Sequence, residues 1–100
     1  MSRSLIPEDY IDRVAGRFKI LGEPVRLELL NQLNAEGEMT VSDLVEATDF
    51  QQANVSKHLR RMADEGIVSR RKDGVYVYYE IDDPTLSALC LLVCGRSQQA

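Results

Sequence analysis

QQANVSKHLRRMADEGIVSRRKDGVYVYYEI, residues 51–81, joins the pattern of a helix to that of a β-hairpin. In its first half Val55, Leu59 and Met62 recur at i, i+4 and i+7, which puts them on one face of a helix. At 100° per residue the other three sides of that helix are polar or basic. The pattern therefore predicts a surface helix with one apolar face in the core.

The second half of the stretch predicts a hairpin that follows the helix directly. Gly66 is typical of the glycine that ends a helix. Short β-branched and aromatic runs follow, interrupted by Asp73-Gly74, a strong signal for a hairpin turn. Side chains of residues 75–80 alternate, so we expect one set to pack on the core and the other to face solvent or DNA. Residues 51–81 are therefore predicted to form a helix followed by a two-stranded wing.

Charge is unevenly distributed along the chain. Residues 57–73 hold six cations and three anions, a net charge of +3. Because the whole chain has a net charge of −4, the remaining residues have a net charge of −7. Lys and Arg neutralise phosphates, short polar side chains reach base edges, and an α-helix fits the major groove of DNA. The alternative interpretation is a solvated helix face without a partner. The predicted contacts with double-stranded DNA are Gln52, Asn54, Ser56, Lys57, His58, Arg61, Arg70, Arg71 and Lys72.

Two of these residues have a second interpretation. Asp49 is a good helix N-cap with Gln52 three positions on, so Gln52 either closes a capping box or reads a base. His58, the only histidine, either contacts phosphate or packs in the interior. Ser56 and His58 point to different sides of the helix, and the sequence has no glycine-rich phosphate loop. We therefore expect neither an enzyme nor a cofactor.

Three helices are predicted upstream, over residues 7–22, 24–36 and 40–48. Pro24 suits the first position of the second helix, and Thr40 and Asp43 form a capping-box pattern at the start of the third. The third helix and the helix that begins the stretch 51–81, which we call the recognition helix, together form a helix-turn-helix. The expected apolar stripes are Ile11, Val14, Phe18 and Leu21 in the first helix, Leu27, Leu29, Leu30 and Leu33 in the second, and Val41, Leu44 and Val45 in the third.

A last helix is predicted after Asp83-Pro84, an N-cap followed by an N1 proline. Leu86 and residues 88–94 make it apolar nearly all round, so another surface must cover it. In a chain of 100 residues the expected cover is a second copy of the same chain.

Composition fits one folded domain over residues 1–100. The hydrophobic fraction of 44% is ordinary, and the two cysteines are too few for a secreted disulfide framework. The N-terminus has no apolar signal region, and no uncharged run is long enough to span a bilayer. We expect a cytoplasmic protein without a membrane partner.

The recognition helix and wing resemble those of the ArsR/SmtB family of winged-helix repressors. The resemblance is carried by Val55-Ser56-Lys57-His58-Leu59, by Gly66-Ile67-Val68 and by Val77-Tyr78-Tyr79, and upstream by Pro24-Val25-Arg26. It covers nearly the whole chain, although Gln51 stands where family members more often have serine. The resemblance implies a mainly α fold with a small β-hairpin wing, in the order α-α-α-α-β-β-α, and a two-fold dimer built from the first and last helices.

The sequence predicts less about which residues sense a signal than about which residues contact DNA. Metal-responsive members carry cysteines around the third helix or Asp, His and Glu sets on the last helix, and here residues 39–48 have no Cys or His and the last helix has no His. Cys90 and Cys94 share one helix face. A disulfide between them is disfavoured, because Cβ atoms at i and i+4 lie roughly 5–6 Å apart and a disulfide needs about 3.5–4.5 Å. They are either small interface hydrophobes, a redox or persulfide sensor, or soft-metal or arsenite ligands.

The sequence thus predicts a homodimeric repressor that binds an inverted-repeat operator and is released by a signal, with the inducer unassigned. The alternative is a winged-helix protein-interaction module without specific DNA binding, which the isoelectric point of about 4.9 would permit.

Overall fold

The structure, a computed structural model, describes residues 4–83 together with Leu86, Leu89 and Cys94. A 3-10 turn, Glu8–Tyr10, leads into the first of the four helices whose bounds lie within residues 4–83. The helices are α1 (Ile11–Leu21), α2 (Pro24–Glu36), α3 (Val41–Ala47) and α4 (Gln52–Asp64). Each coincides with a predicted helix to within a few residues, and the hairpin follows α4 as expected.

Three antiparallel strands form one sheet in the order β1-β3-β2. They are β1 (Met39–Thr40), β2 (Val68–Asp73) and β3 (Tyr76–Ile81). The hairpin was predicted, but β1 was not, because a two-residue strand has no periodicity. The pairing of Met39 with Tyr79 ties the start of α3 to the wing.

The hairpin turn lies one residue later than predicted. Asp73 pairs with Tyr76, so the two turn residues are Gly74 and Val75 rather than Asp73 and Gly74. Gly74 has φ +64°, and no described non-glycine residue has a positive φ. Glycine at the first central position is the arrangement of a type II′ turn. Val75 therefore stands at the tip of the wing and is 88% exposed.

The core lies between α2, α3, α4 and the base of the sheet. Val55, Leu59 and Met62 of α4 are fully enclosed, which confirms the predicted apolar face. The other buried hydrophobic residues are Ile20, Leu29, Leu30, Leu33, Met39, Leu44, Ile67, Val68, Tyr79 and Leu86.

The predicted apolar stripe of α1 faces this core only at its C-terminal end, where Leu21 packs against the buried residues. Ile11 is 47% and Phe18 is 56% exposed, whereas Ile20 is buried. Tyr10, just before the helix, is also about half exposed. Within one chain α1 thus packs through its C-terminal end and leaves Ile11 and Phe18 of the stripe open.

In α2 one predicted core position is wrong. Leu27 is 40% exposed, and Arg26 is buried in its place. Arg26, Leu29, Leu30 and Leu33 stand at i, i+3, i+4 and i+7, which is the spacing of one helix face. The buried side of α2 therefore begins with a charged residue.

Local hydrogen bonds fix the ends of the helices around the site. The Thr40 hydroxyl accepts from the Asp43 N–H at 3.0 Å and the Asp43 carboxylate accepts from the Thr40 N–H at 3.0 Å, which confirms the capping box. After α4, Gly66 has φ +76°, and its N–H donates to the Ala63 carbonyl while Ile67 N–H donates to the Met62 carbonyl. These two bonds are a Schellman motif, which confirms Gly66 as the end of the helix.

Of the predicted last helix, Leu86, Leu89 and Cys94 are helical, and Leu86 is buried. The rest of that prediction, including Cys90 and Val93, lies outside the described residues. Among the described residues no helix is long and apolar enough to cross a membrane.

Candidate nucleic-acid interface

Helix α4 begins at Gln52, with Gln51 as an N-cap that makes no side-chain capping bond. The predicted capping box from Asp49 to Gln52 is therefore wrong, because Asp49 lies two residues before the N-cap. Thr48 instead organises the turn before α4, since its hydroxyl donates to the Leu44 carbonyl and accepts from the Phe50 N–H. The Gln52 side chain is left exposed at the first position of the helix.

The polar side of α4 is open to solvent in the single chain. Gln52, Lys57 and Arg61 are exposed, as predicted for residues that contact DNA. Asn54 and Ser56 are only half buried, so both still reach the surface. These five residues surround the helix on the sides away from the enclosed apolar face.

His58 lies differently from this exposed set. It is buried, with 8% of its surface accessible, and the Arg26 Nη1 donates to its Nδ1 at 3.0 Å. Of the two sequence interpretations, packing accounts for this side chain. The prediction that His58 is an exposed DNA-contact residue is therefore wrong. A residue three positions after Val55 lies close enough to the apolar face of the helix for its side chain to turn inward.

The wing adds exposed cations beyond the end of α4. Arg70, Arg71 and Lys72 are all exposed on β2. Arg70 is opposite Tyr79 and Lys72 is opposite Val77, so these two cations lie on the same face of the hairpin. Near the base of the hairpin, this face packs on the core. Arg71 lies on the opposite face across from Tyr78. Among the described residues neither Arg70 nor Lys72 has an ion-pair partner.

Arg71 is exposed but engaged within the chain. Its Nε and Nη2 donate to the two carboxylate oxygens of Glu38 at 2.8 and 2.9 Å, and Asp73 lies 3.6 Å away. The guanidinium also lies over the Tyr78 ring, 4.8 Å from its centroid. The hydrogen bond from Arg71 lowers the pKa of Glu38, and the same bond raises the pKa of Arg71. Arg71 therefore joins the wing to the segment before β1, and its charge is already compensated.

A second arginine connects α1 to the end of α4. Arg17 Nη1 donates to the Glu65 carbonyl at 3.0 Å, where the partial negative charge of the helix C-terminus favours a cation. Its Nη2 bonds the Asp83 carboxylate, just before the predicted last helix. The described residues thus link α1 to both the recognition helix and the chain leading to the last helix.

Sequence reasoning did not assign roles to Arg26, Glu38 or Arg17. A signal for Arg26 was present, because its spacing from the buried leucines of α2 places it on the core face. Glu38 and Arg71 are 33 residues apart, and no local pattern relates them. Their contact follows from the pairing of β1 with β3.

Of the two predicted sensing residues, the structure describes Cys94. Cys94 is exposed and is a free thiol, and Cys90 lies outside the described residues. Within the described part of the chain, no group of three or more His, Cys, Asp or Glu side chains is arranged to hold a metal ion.

Comparison with known proteins gives a consistent result. The model of the bacterial regulatory protein, arsR family, matches residues 23–70. A CadC homolog from Staphylococcus aureus, a cadmium resistance transcriptional regulatory protein, is 37% identical over 76 residues, which are 76% of this chain and 63% of that protein.

Two solved structures share the fold. The antimony-specific transcriptional repressor AntR has a TM-score of 0.77 and 35% identity, over 94% of this chain and 86% of that one. The homodimeric winged helix-turn-helix DNA-binding domain from Mycobacterium bovis has a TM-score of 0.78 and 30% identity, over the same shares of the two chains.

Proposed function

Because the chain belongs to the arsR family of bacterial regulatory proteins, we propose that it is a homodimeric transcriptional repressor that binds double-stranded DNA. The observation that carries this proposal is the polar, cationic side of α4, which stays exposed while Val55, Leu59 and Met62 of the same helix are fully enclosed. Helix α4 enters the major groove, where Gln52, Asn54 and Ser56 read base edges. Lys57 and Arg61 on the helix, and Arg70 and Lys72 on the wing, neutralise phosphates.

The open apolar stripe of α1 supports the homodimer. Leu5, Tyr10, Ile11 and Phe18 are all about half exposed or more, which is costly for a chain of this size unless another surface covers them. In our proposal residues 1–100 form one domain, and α1 and the last helix of two copies make a two-fold interface. The operator is then an inverted repeat with half-site centres about one helical turn, or a multiple of it, apart. The protein acts in the cytoplasm in this proposal.

Release of the operator is proposed to depend on the thiols. Cys94 is exposed, and related regulators are named for cadmium and antimony, both of which bind thiolates. If Cys90 and Cys94 sense such a metal or an oxidant, replacing both by serine abolishes the response and leaves operator affinity under reducing conditions nearly unchanged. The test is to titrate both proteins with cadmium, arsenite, peroxide and polysulfide while measuring their DNA binding. A wild type that responds to none of these agents contradicts the thiol switch.

The DNA-binding proposal itself is tested by selecting bound fragments from the genome that encodes the protein. Affinity for the selected duplex should fall steeply with salt, because each neutralised phosphate releases counterions. A protein that enriches no fragment and binds no duplex above background is the result expected of an interaction module, and it contradicts the proposal.

A further inference from the structure

Arg26 is a buried arginine that bridges two other helices. It is 8% exposed, although arginine is rarely buried unless it is paired. Its Nε donates to the Ile20 carbonyl at 2.7 Å, near the C-terminal end of α1. Its Nη1 donates to His58 Nδ1 on α4 at 3.0 Å. One side chain from the first turn of α2 thus holds the recognition helix to the helix that carries the exposed apolar stripe.

The chemistry of this contact fixes the state of His58. A guanidinium has only donors and stays protonated. A ring nitrogen 3.0 Å from it must present a lone pair, so His58 is neutral with its proton on Nε2. No described hydrogen bond involves Nε2, and no described side-chain nitrogen or oxygen is both enclosed and unpartnered. The Nε2–H therefore keeps some contact with solvent, although the side chain as a whole is buried.

The surroundings of His58 favour the same state. Burial lowers its pKa, and the charge of Arg26 on α2 lowers it further. Lys57 and Arg61 on α4 act in the same direction, and only Glu23, at the start of α2, opposes them. At neutral pH the imidazole remains an acceptor for Arg26, and protonation must break that hydrogen bond.

We propose that Arg26 is a positioning residue for DNA binding, which fixes the orientation of α4 relative to α1 through the neutral imidazole of His58. The inference rests on the proposed function. In a dimer whose interface includes α1, the distance between two recognition helices depends on how firmly each is held to α1. The Arg26 bridge supplies that connection at the middle of α4, and the Arg17 bond to Glu65 supplies another at its end.

The first part of the test is made on the free protein. Because the chain has one histidine, its imidazole nitrogen signals in a long-range ¹H–¹⁵N spectrum need no assignment. In the wild type we expect Nδ1 to have the shift of an unprotonated nitrogen and Nε2 that of a protonated one, at and below the ordinary histidine pKa of about 6.5. In Arg26→Gln the ring should titrate at higher pH. A wild-type ring with its proton on Nδ1 overturns the bridge.

The second part measures operator affinity in four variants. His58→Asn keeps an acceptor at the Nδ1 position, so it should bind within about threefold of wild type. His58→Leu and Arg26→Gln should each lose about ten- to 150-fold, the worth of one hydrogen bond to a charged group. Arg17→Gln is the control for the readouts that depend on His58. It removes the other bond between α1 and α4, so it should also weaken operator binding, but it should leave the Nδ1 shift unchanged.

The pH profile separates positioning from general stability. Between about pH 7.5 and pH 5.5, wild-type affinity should fall relative to His58→Asn, because the imidazole gains a proton in this range and only the wild type has it. Arg17→Gln should follow the wild-type profile. The positioning role is wrong if the wild type binds operator and a folded Arg26→Gln variant binds it equally well with the same pH profile. The same result for His58→Leu would also rule it out. If the wild type binds no duplex at all, the proposed function fails and the positioning role fails with it.

Discussion

Substitution of Arg71 should not change the salt dependence of DNA binding, although this arginine lies in the basic wing. Both arms of its guanidinium are engaged by Glu38, at 2.8 and 2.9 Å, and the Tyr78 ring lies beneath it. A cation that keeps this partner in the complex neutralises no phosphate. Arg70 and Lys72, which have no ion-pair partner among the described residues, are expected to make the phosphate contacts of the wing.

The expected magnitudes follow from counterion release. Each phosphate contact contributes about 0.9 to the slope of log K against log salt, so one substitution in both protomers of a dimer changes the slope by about 1.8. Arg70→Ala and Lys72→Ala should each flatten the slope by about that amount. Arg71→Ala should leave it unchanged. Glu38→Gln should steepen it by about 1.8, because the released Arg71 becomes available for phosphate.

Fluorescence anisotropy of a labelled operator over a series of salt concentrations measures all four slopes. Glu36→Gln is the matched control, since it removes the same charge from the end of α2 but does not contact Arg71. If Arg71→Ala flattens the slope as Arg70→Ala does, Arg71 exchanges Glu38 for phosphate on binding and the reasoning is refuted. An unchanged slope in Glu38→Gln leads to the same conclusion.

Three further predictions concern assembly and stability. Phe18→Asp should give a folded monomer, because Phe18 is 56% exposed in the single chain, and sedimentation at matched concentration would contradict this if the variant stayed dimeric. Gly66→Ala should destabilise the fold by roughly 1–2 kcal/mol in urea unfolding, since φ +76° strains an L residue; an unchanged midpoint would show that the backbone relaxes at no cost. Stability should be greatest above about pH 6.5 and fall as pH drops below it, because the lowered pKa of His58 makes the unfolded chain the stronger proton binder; His58→Asn should lose this component, and equal pH dependence in both proteins would exclude it.

The recognition helix was predictable because its signals are local. The spacing of Val55, Leu59 and Met62 determines which side is buried, and Gly66 determines where the helix ends, whatever the rest of the fold does. The hairpin was predictable for the same reason. Its turn was placed one residue too early because Asp73-Gly74 and Gly74-Val75 both supply a glycine with positive φ, in different positions of the turn.

The features that local patterns could not place depend on tertiary contacts. The stripe of α1 is apolar by pattern, but a pattern cannot distinguish a core from an interface between copies. The pairs Arg26 with His58 and Arg71 with Glu38 join residues 32 and 33 positions apart. Each contact engages one residue of the predicted DNA-contact set within its own chain: His58 becomes buried, and the charge of Arg71 is compensated.

The most direct test of the central claim compares specific with non-specific DNA. Gln52→Ala, Asn54→Ala and Ser56→Ala change the polar residues of the first two turns of α4, which meet base edges in helix-turn-helix docking. Affinities of wild type and of the triple variant should be measured on the selected operator and on a scrambled duplex at the same salt concentration. Each lost base contact is worth about 1–3 kcal/mol, which is about five- to 150-fold in affinity. The triple variant removes three such contacts, so it should lose about 150-fold or more on the operator and almost nothing on the scrambled duplex. Equal losses on both duplexes would show that these residues do not read sequence and would contradict the assignment of α4 as the recognition helix.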